Sequence, residues 1–115
     1  MGEDHPDNKN AFFNMGLCYS KLNEHQKSIE ACHNAVSLDP TYEKAYYRLM
    51  NQYQIIGNHY EVFLNARLYI RHEKDLNTPQ LAEAKEKMLT SKAQFISNSK
   101  KTQLPKKLGE KDELF

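Results

Sequence analysis

"NMGLCYSKLNEHQKSIEACHNAVSLDPTYEKAYYRLMNQY", residues 14–53, starts over before it ends. Displacing the chain by 34 residues sets Ala11 on Ala45, Phe12 on Tyr46, Phe13 on Tyr47, Met15 on Leu49 and Tyr19 on Tyr53. The register continues with Leu22 on Ile56, Asn23 on Gly57, His25 on His59 and Ile29 on Phe63. Aromatic meets aromatic, aliphatic meets aliphatic, and a turn former meets a turn former. Agreement sustained at a single offset marks an internal repeat.

Each copy carries a helical period. Phe12, Met15, Gly16 and Tyr19 fall at i, i+3, i+4 and i+7, as do Tyr46, Leu49, Met50 and Tyr53. "LNEH" and "IGNH" interrupt the stripe with residues suited to a tight turn. A second stripe follows in each copy: Ser28, Ile29, Cys32, Ala35 and Val36, then Val62, Phe63, Ala66, Tyr69 and Ile70. "LDP" closes the first copy, with Pro40 stopping the helix and Leu38 expected to anchor its end. The second copy lacks that Pro, so its last helix is expected to run on toward Asp75. A further helix opens at "TPQLAEAKEKM", where Thr78 suits an N-cap and Pro79 a first helical turn. The expectation is all-α: two antiparallel helix pairs and a C-terminal capping helix. Its boundaries are an arm at 1–8, repeats at 9–42 and 43–76, a cap at 78–98 and a charged tail at 99–115.

Composition narrows the function classes. A chain of 115 residues makes one small domain, and 39% apolar residues suffice for a modest core. The formal net charge of +1 gives no bulk reason to expect nucleic acid or a membrane surface as partner. No apolar run approaches the roughly 18–20 residues of a membrane span, and no basic-then-apolar leader opens the chain. Pro6 stands where a myristoylation signal needs Ser or Thr, and Phe115 follows the "KDEL" that must be terminal to retrieve a protein. Cys18 and Cys32 have neither disulfide-framework nor zinc spacing, and read as free, mostly buried thiols of a cytoplasmic protein.

Phe12, Met15, Gly16, Tyr19, Ser28, Cys32, Ala35 and Pro40 resemble the pattern of the tetratricopeptide (TPR) repeat, which has this period. Tyr46, Leu49, Tyr53, Val62, Ala66 and Tyr69 repeat it. Met50 departs from it by filling the Gly slot, where paired helices cross closely, which implies a wider crossing. The resemblance covers about residues 9 to 75 and implies a non-catalytic array whose first helices line a peptide-binding groove.

In that groove the repeat offset sets Asn14 beside Arg48 and Asn10 beside Lys44. Lys44 and Arg48, four apart, share one helix face. An amide and two cations on one surface suit a carboxylate: a planar fork, a point charge and a neutral donor. "EKAYYRLMNQY" and "NMGLCYSKL" resemble the last and middle repeats of co-chaperone TPR domains, the immunophilins among them. Those domains clamp the acidic EEVD tail of heat-shock chaperones. The resemblance carries Asn14, Lys44 and Arg48 over as peptide ligands, with Asn10 beside them. The family clamp also takes a Lys and an Asn from an earlier repeat, which "MGEDHPDNK" cannot build. The chain is then part of a longer protein, or a neighbouring chain completes the groove, or the site is degenerate.

The alternative is a scaffold TPR that binds a partner helix, or self-associates, through apolar residues of the groove. No cofactor is implied. The tyrosines fall at packing rather than base-stacking positions, and no HExxH or Cys/His cluster suggests a metal. Glu83 and Glu86 lie among lysines and read as a solvated helix face rather than an acid–base pair. "KKTQLPKK" in the tail is basic but lacks a sustained apolar face.

Overall fold

The computed structural model describes residues 8–103. Within them lie five helices and no strand: α1 (Asn8–Lys21), α2 (His25–Leu38), α3 (Glu43–Ile56), α4 (His59–His72) and α5 (Pro79–Gln103). The remainder of the arm, the "KDEL" motif and the second half of the basic run "KKTQLPKK" lie outside the described residues.

The turn inside each pair is built the same way twice. Asn23 and Gly57, one offset apart, both take the left-handed conformation, at φ 62° and 83°. Glu24 N–H donates to the Tyr19 carbonyl at 2.8 Å, and Asn58 N–H to that of Tyr53 at 3.0 Å. Asn23 N–H reaches Ser20 and Gly57 N–H reaches Gln54, at 3.0 and 3.1 Å. These are two Schellman motifs, which satisfy the last carbonyls of α1 and α3 and turn the chain back on itself. Asn58 also caps α4, accepting Glu61 N–H at 3.2 Å.

Each helix packs on the next in chain order, and α1 also touches α3, so α1 and α3 run side by side. The core gathers Ile29, Cys32 and Ala35 of α2, Ala45, Leu49 and Met50 of α3, Val62, Ala66 and Tyr69 of α4, and Leu81 and Ala84 of α5. Gly16 marks a close crossing. A Cβ there would stand 2.7 Å from the Cys32 sulfur, and the Ser28 hydroxyl donates to the Gly16 carbonyl at 2.7 Å. In the corresponding slot Met50 is fully buried.

Several expectations are corrected. α4 does not run on to Asp75: Glu73 is extended, at φ −75° and ψ 122°. Its carboxylate binds the Tyr69 hydroxyl at 2.8 Å and Asp75 N–H at 2.9 Å, so side-chain bonds end this helix without a Pro. Leu38, expected to anchor the end of its helix, is 41% exposed. The end of α2 is instead organised by Asp39, whose carboxylate accepts the Thr41 N–H and hydroxyl at 3.0 and 2.7 Å. Cys32 is buried but Cys18 is exposed. Thr78 caps α5 through Leu81 N–H at 3.1 Å, as its sequence context predicts. That helix continues past residue 98 to Gln103, since nothing in "SNSKKTQ" breaks it.

Candidate peptide-binding groove

The first helices of the two pairs supply the groove. α1 presents Asn10 and Asn14 one turn apart, and α3 presents Lys44 and Arg48 one turn apart. Asn10, Asn14 and Lys44 are exposed and Arg48 is half-buried.

Their partners distinguish them. Asn10 is committed on one side, because the Tyr42 hydroxyl donates to its Oδ1 at 2.7 Å. That bond ties the first turn of α1 to the residue before α3. The Phe13 ring stands edge-on to Tyr42 at 5.5 Å, and the Lys9 ammonium lies 5.0 Å from the Tyr42 centroid. Lys9 is itself neutralised by Asp39 at 2.5 Å. With Lys9 and Thr41 both donating to it, the Asp39 carboxyl is held down at about 2.

Lys44 and Arg48 form no ion pair among the described residues. The Arg48 Nε–H is shielded from water and has no acceptor among the described residues. Its positive charge lies near enough to the Cys32 thiol to oppose the effect of burial, which pushes that thiol up to about 11. The Asn14 side chain likewise has no hydrogen bond among the described residues, so the structure brings the four sequence-derived residues onto neighbouring helices without joining Asn14 to Arg48. On the α5 side the polar groups answer one another. Tyr47 donates to Glu83 at 2.5 Å, and Lys87 donates to Glu83 and Asn51, both at 2.7 Å.

Asn10 and Lys44 open into a cleft of about 650 Å³ that also takes Arg71 and His72 from the last turn of α4 and Lys74 from just beyond it. The His72 ring stacks on Tyr46 with centroids 5.8 Å apart and planes at 17°. Nothing in the repeat pattern singled out these three residues. Cations in the last turn of a helix are expected for its dipole, and their meeting with Lys44 is a fact of tertiary structure. The histidines that share a slot take unlike surroundings: His25 Nδ1 lies 2.7 Å from Gln52 Oε1, while His59 lines a small surface recess with Lys87 and Gln94. Gln52, buried between the copies, donates onward to Ser20 at 2.9 Å. No helix among the described residues is long and apolar enough to cross a membrane.

Comparison with known proteins bears on the first copy most directly. Residues 10–42 match the family model of the tetratricopeptide repeat. FK506-binding protein 5 of Rhizopus delemar is 33% identical over 87 residues, which is 76% of this chain and 22% of that protein. The chain thus spans about a fifth of the length of this curated relative.

Proposed function

We propose that this tetratricopeptide-repeat chain, two helical repeats closed by a C-terminal helix, is a non-catalytic module of a co-chaperone that holds the acidic carboxyl end of a partner protein. Asn14, Lys44 and Arg48 are the ligands, with the Asn10 amide at the edge. The observation that carries the reading is Arg48. The residue is half-buried, and among the described residues no carboxylate pairs with it and its Nε–H lacks an acceptor. A buried unsatisfied donor costs about 1–3 kcal/mol, more when charged, so an acidic ligand that neutralises this guanidinium is favoured there. Lys44, one turn away and equally unpaired, adds a second positive charge, and Asn14 adds a neutral donor on the facing helix. The similarity to an FK506-binding protein and the likeness of "EKAYYRLMNQY" to clamp repeats favour a heat-shock chaperone tail of EEVD type as that partner.

The test is fluorescence anisotropy with a labelled peptide ending in EEVD. Binding is expected to need the free terminal carboxylate, to weaken with salt, and to fall at least about tenfold in Arg48→Ala, the scale of one charge-assisted hydrogen bond. Binding indifferent to C-terminal amidation contradicts the reading.

A second reading is assembly through a partner helix, and one face favours it. Ala11, Met15 and Cys18 of α1 and Leu22 just after it form an exposed stripe, Met15 at 44% and Leu22 at 69%. The counterparts of the first three, Ala45, Leu49 and Gln52, are buried, while Ile56, the counterpart of Leu22, is 46% exposed. Concentration-dependent sedimentation that Met15→Glu with Leu22→Glu abolishes, leaving peptide binding intact, would support assembly there.

A further inference from the structure

Ala11, Met15, Cys18 and Leu22 recur at steps of four, three and four, the spacing of a coiled-coil seam. All four are exposed. Leu22 keeps to the path of α1, because its N–H still donates to the Cys18 carbonyl at 3.1 Å. Gly16, where α2 crosses closely, lies about a third of a turn round the helix, so the seam is turned away from the core. Size alternates along it: small Ala11, large Met15, small Cys18, large Leu22. Read backwards, the order becomes large, small, large, small. The seam therefore complements its own reverse.

We propose that this seam is a homodimer interface, covered by α1 of a second copy of the chain running antiparallel about a twofold axis. The proposal rests on the assembly reading above and names its partner. A twofold axis crossing α1 between Gly16 and Leu17 sets Ala11 against the partner's Leu22, and Met15 against the partner's Cys18. Each layer then holds one large and one small side chain, and the two helices approach at an even separation of about 8–10 Å. A parallel pair would stack Ala11 on Ala11 and Leu22 on Leu22, alternating gaps with clashes. Charge agrees with size. The antiparallel pair carries Lys21 about 14 Å along the axis from the partner's Lys21 and nearest to the partner's neutral Asn14, whereas a parallel pair sets the two lysines side by side. The strip is about 21 Å long and one helix wide, less than the roughly 1,200–2,000 Å² of a standard interface, so the dimer is expected to dissociate at about tens to hundreds of micromolar.

The experiment is sedimentation of the full chain over a concentration series reaching about 1 mM, with circular dichroism to verify that each variant keeps its helices. Ala11→Leu sets Leu against the partner's Leu22 and is expected to weaken association about three- to tenfold, while Ala11→Leu combined with Leu22→Ala exchanges the sizes and restores it. Tighter association in Ala11→Leu, the behaviour of an unspecific apolar patch, overturns the antiparallel seam and leaves the assembly reading standing. Orientation is read by cross-linking. Ala11→Cys and Leu22→Cys chains, both also carrying Cys18→Ala, should be joined by a short bismaleimide when mixed and not when alone, since like positions stand about 16 Å apart along the axis. Cys32 is buried and does not compete for the reagent. Cross-linking of either chain alone as readily as in the mixture overturns the arrangement. A chain that stays monomeric throughout the series overturns both the seam and the assembly reading.

Discussion

Met15 and Leu49 occupy one slot of the repeat, yet Met15 is 44% exposed and Leu49 is fully buried. Ala11 and Ala45 divide the same way, as do Cys18 and Gln52. The helices that carry these pairs have equal length and end in the same turn. What differs is their neighbourhood: among the described residues α3 is packed by α1, α2 and α4, whereas α1 packs chiefly on α2 and, more lightly, on α3. Burial in this fold is thus a property of place in the array more than of residue type, as expected where each repeat is stabilised by its neighbours. It also explains why a polar Gln52 can be buried between copies, bonded to Ser20 and His25, where the first copy has an exposed thiol.

Substitution at the shared slot should give the largest contrast. Leu49→Ala is expected to cost about 2–5 kcal/mol in urea unfolding and Met15→Ala less than about 1 kcal/mol. Equal losses would break the comparison. The Gly16 crossing comes next. Gly16→Ala forces a Cβ against the Cys32 sulfur and should destabilise by about 1–3 kcal/mol, less on a Cys32→Ala background. A smaller effect belongs to the second copy's junction with α5, where Tyr47→Phe removes the bond to Glu83 at a cost of about 1 kcal/mol.

The smallest effect is a pH dependence confined to the first copy's outer edge. Asp39, held at about 2 by Lys9 and Thr41, lies below the ordinary aspartate value of about 4. Its contribution is therefore complete above about pH 4 and is lost as pH falls toward 2. Asp39→Asn should flatten the acid limb of thermal stability between those values and leave the neutral region lowered by a constant amount. An unchanged acid limb would remove Asp39 from the account.

The repeat was legible because its signals are local. Asn23 and Gly57 announce their turns by residue type, and the apolar stripes announce their helices. Asn10, Asn14, Lys44 and Arg48 could be placed on adjacent helices by the offset alone. What stayed hidden depends on tertiary neighbours or on side-chain bonds that substitute for a familiar residue. Met15 and Leu49 look equally suited to a core. Glu73 ends α4 where a Pro was missing, by binding Tyr69 and Asp75. Arg71 and Lys74 join Lys44 only because the end of α4 returns to the start of α3. The engaged state of Asn10 is set by Tyr42, a residue distant in sequence.

The most direct test of the central claim follows the guanidinium of Arg48 and the side-chain amide of Asn14 by 15N-resolved NMR while a free-acid EEVD peptide is added. The account predicts that the Arg48 Nε–H resonance and the Asn14 amide shift together and saturably, and that the amidated peptide moves neither. Shifts confined to the α1 stripe around Met15 and Leu22, with Arg48 unmoved, would contradict it.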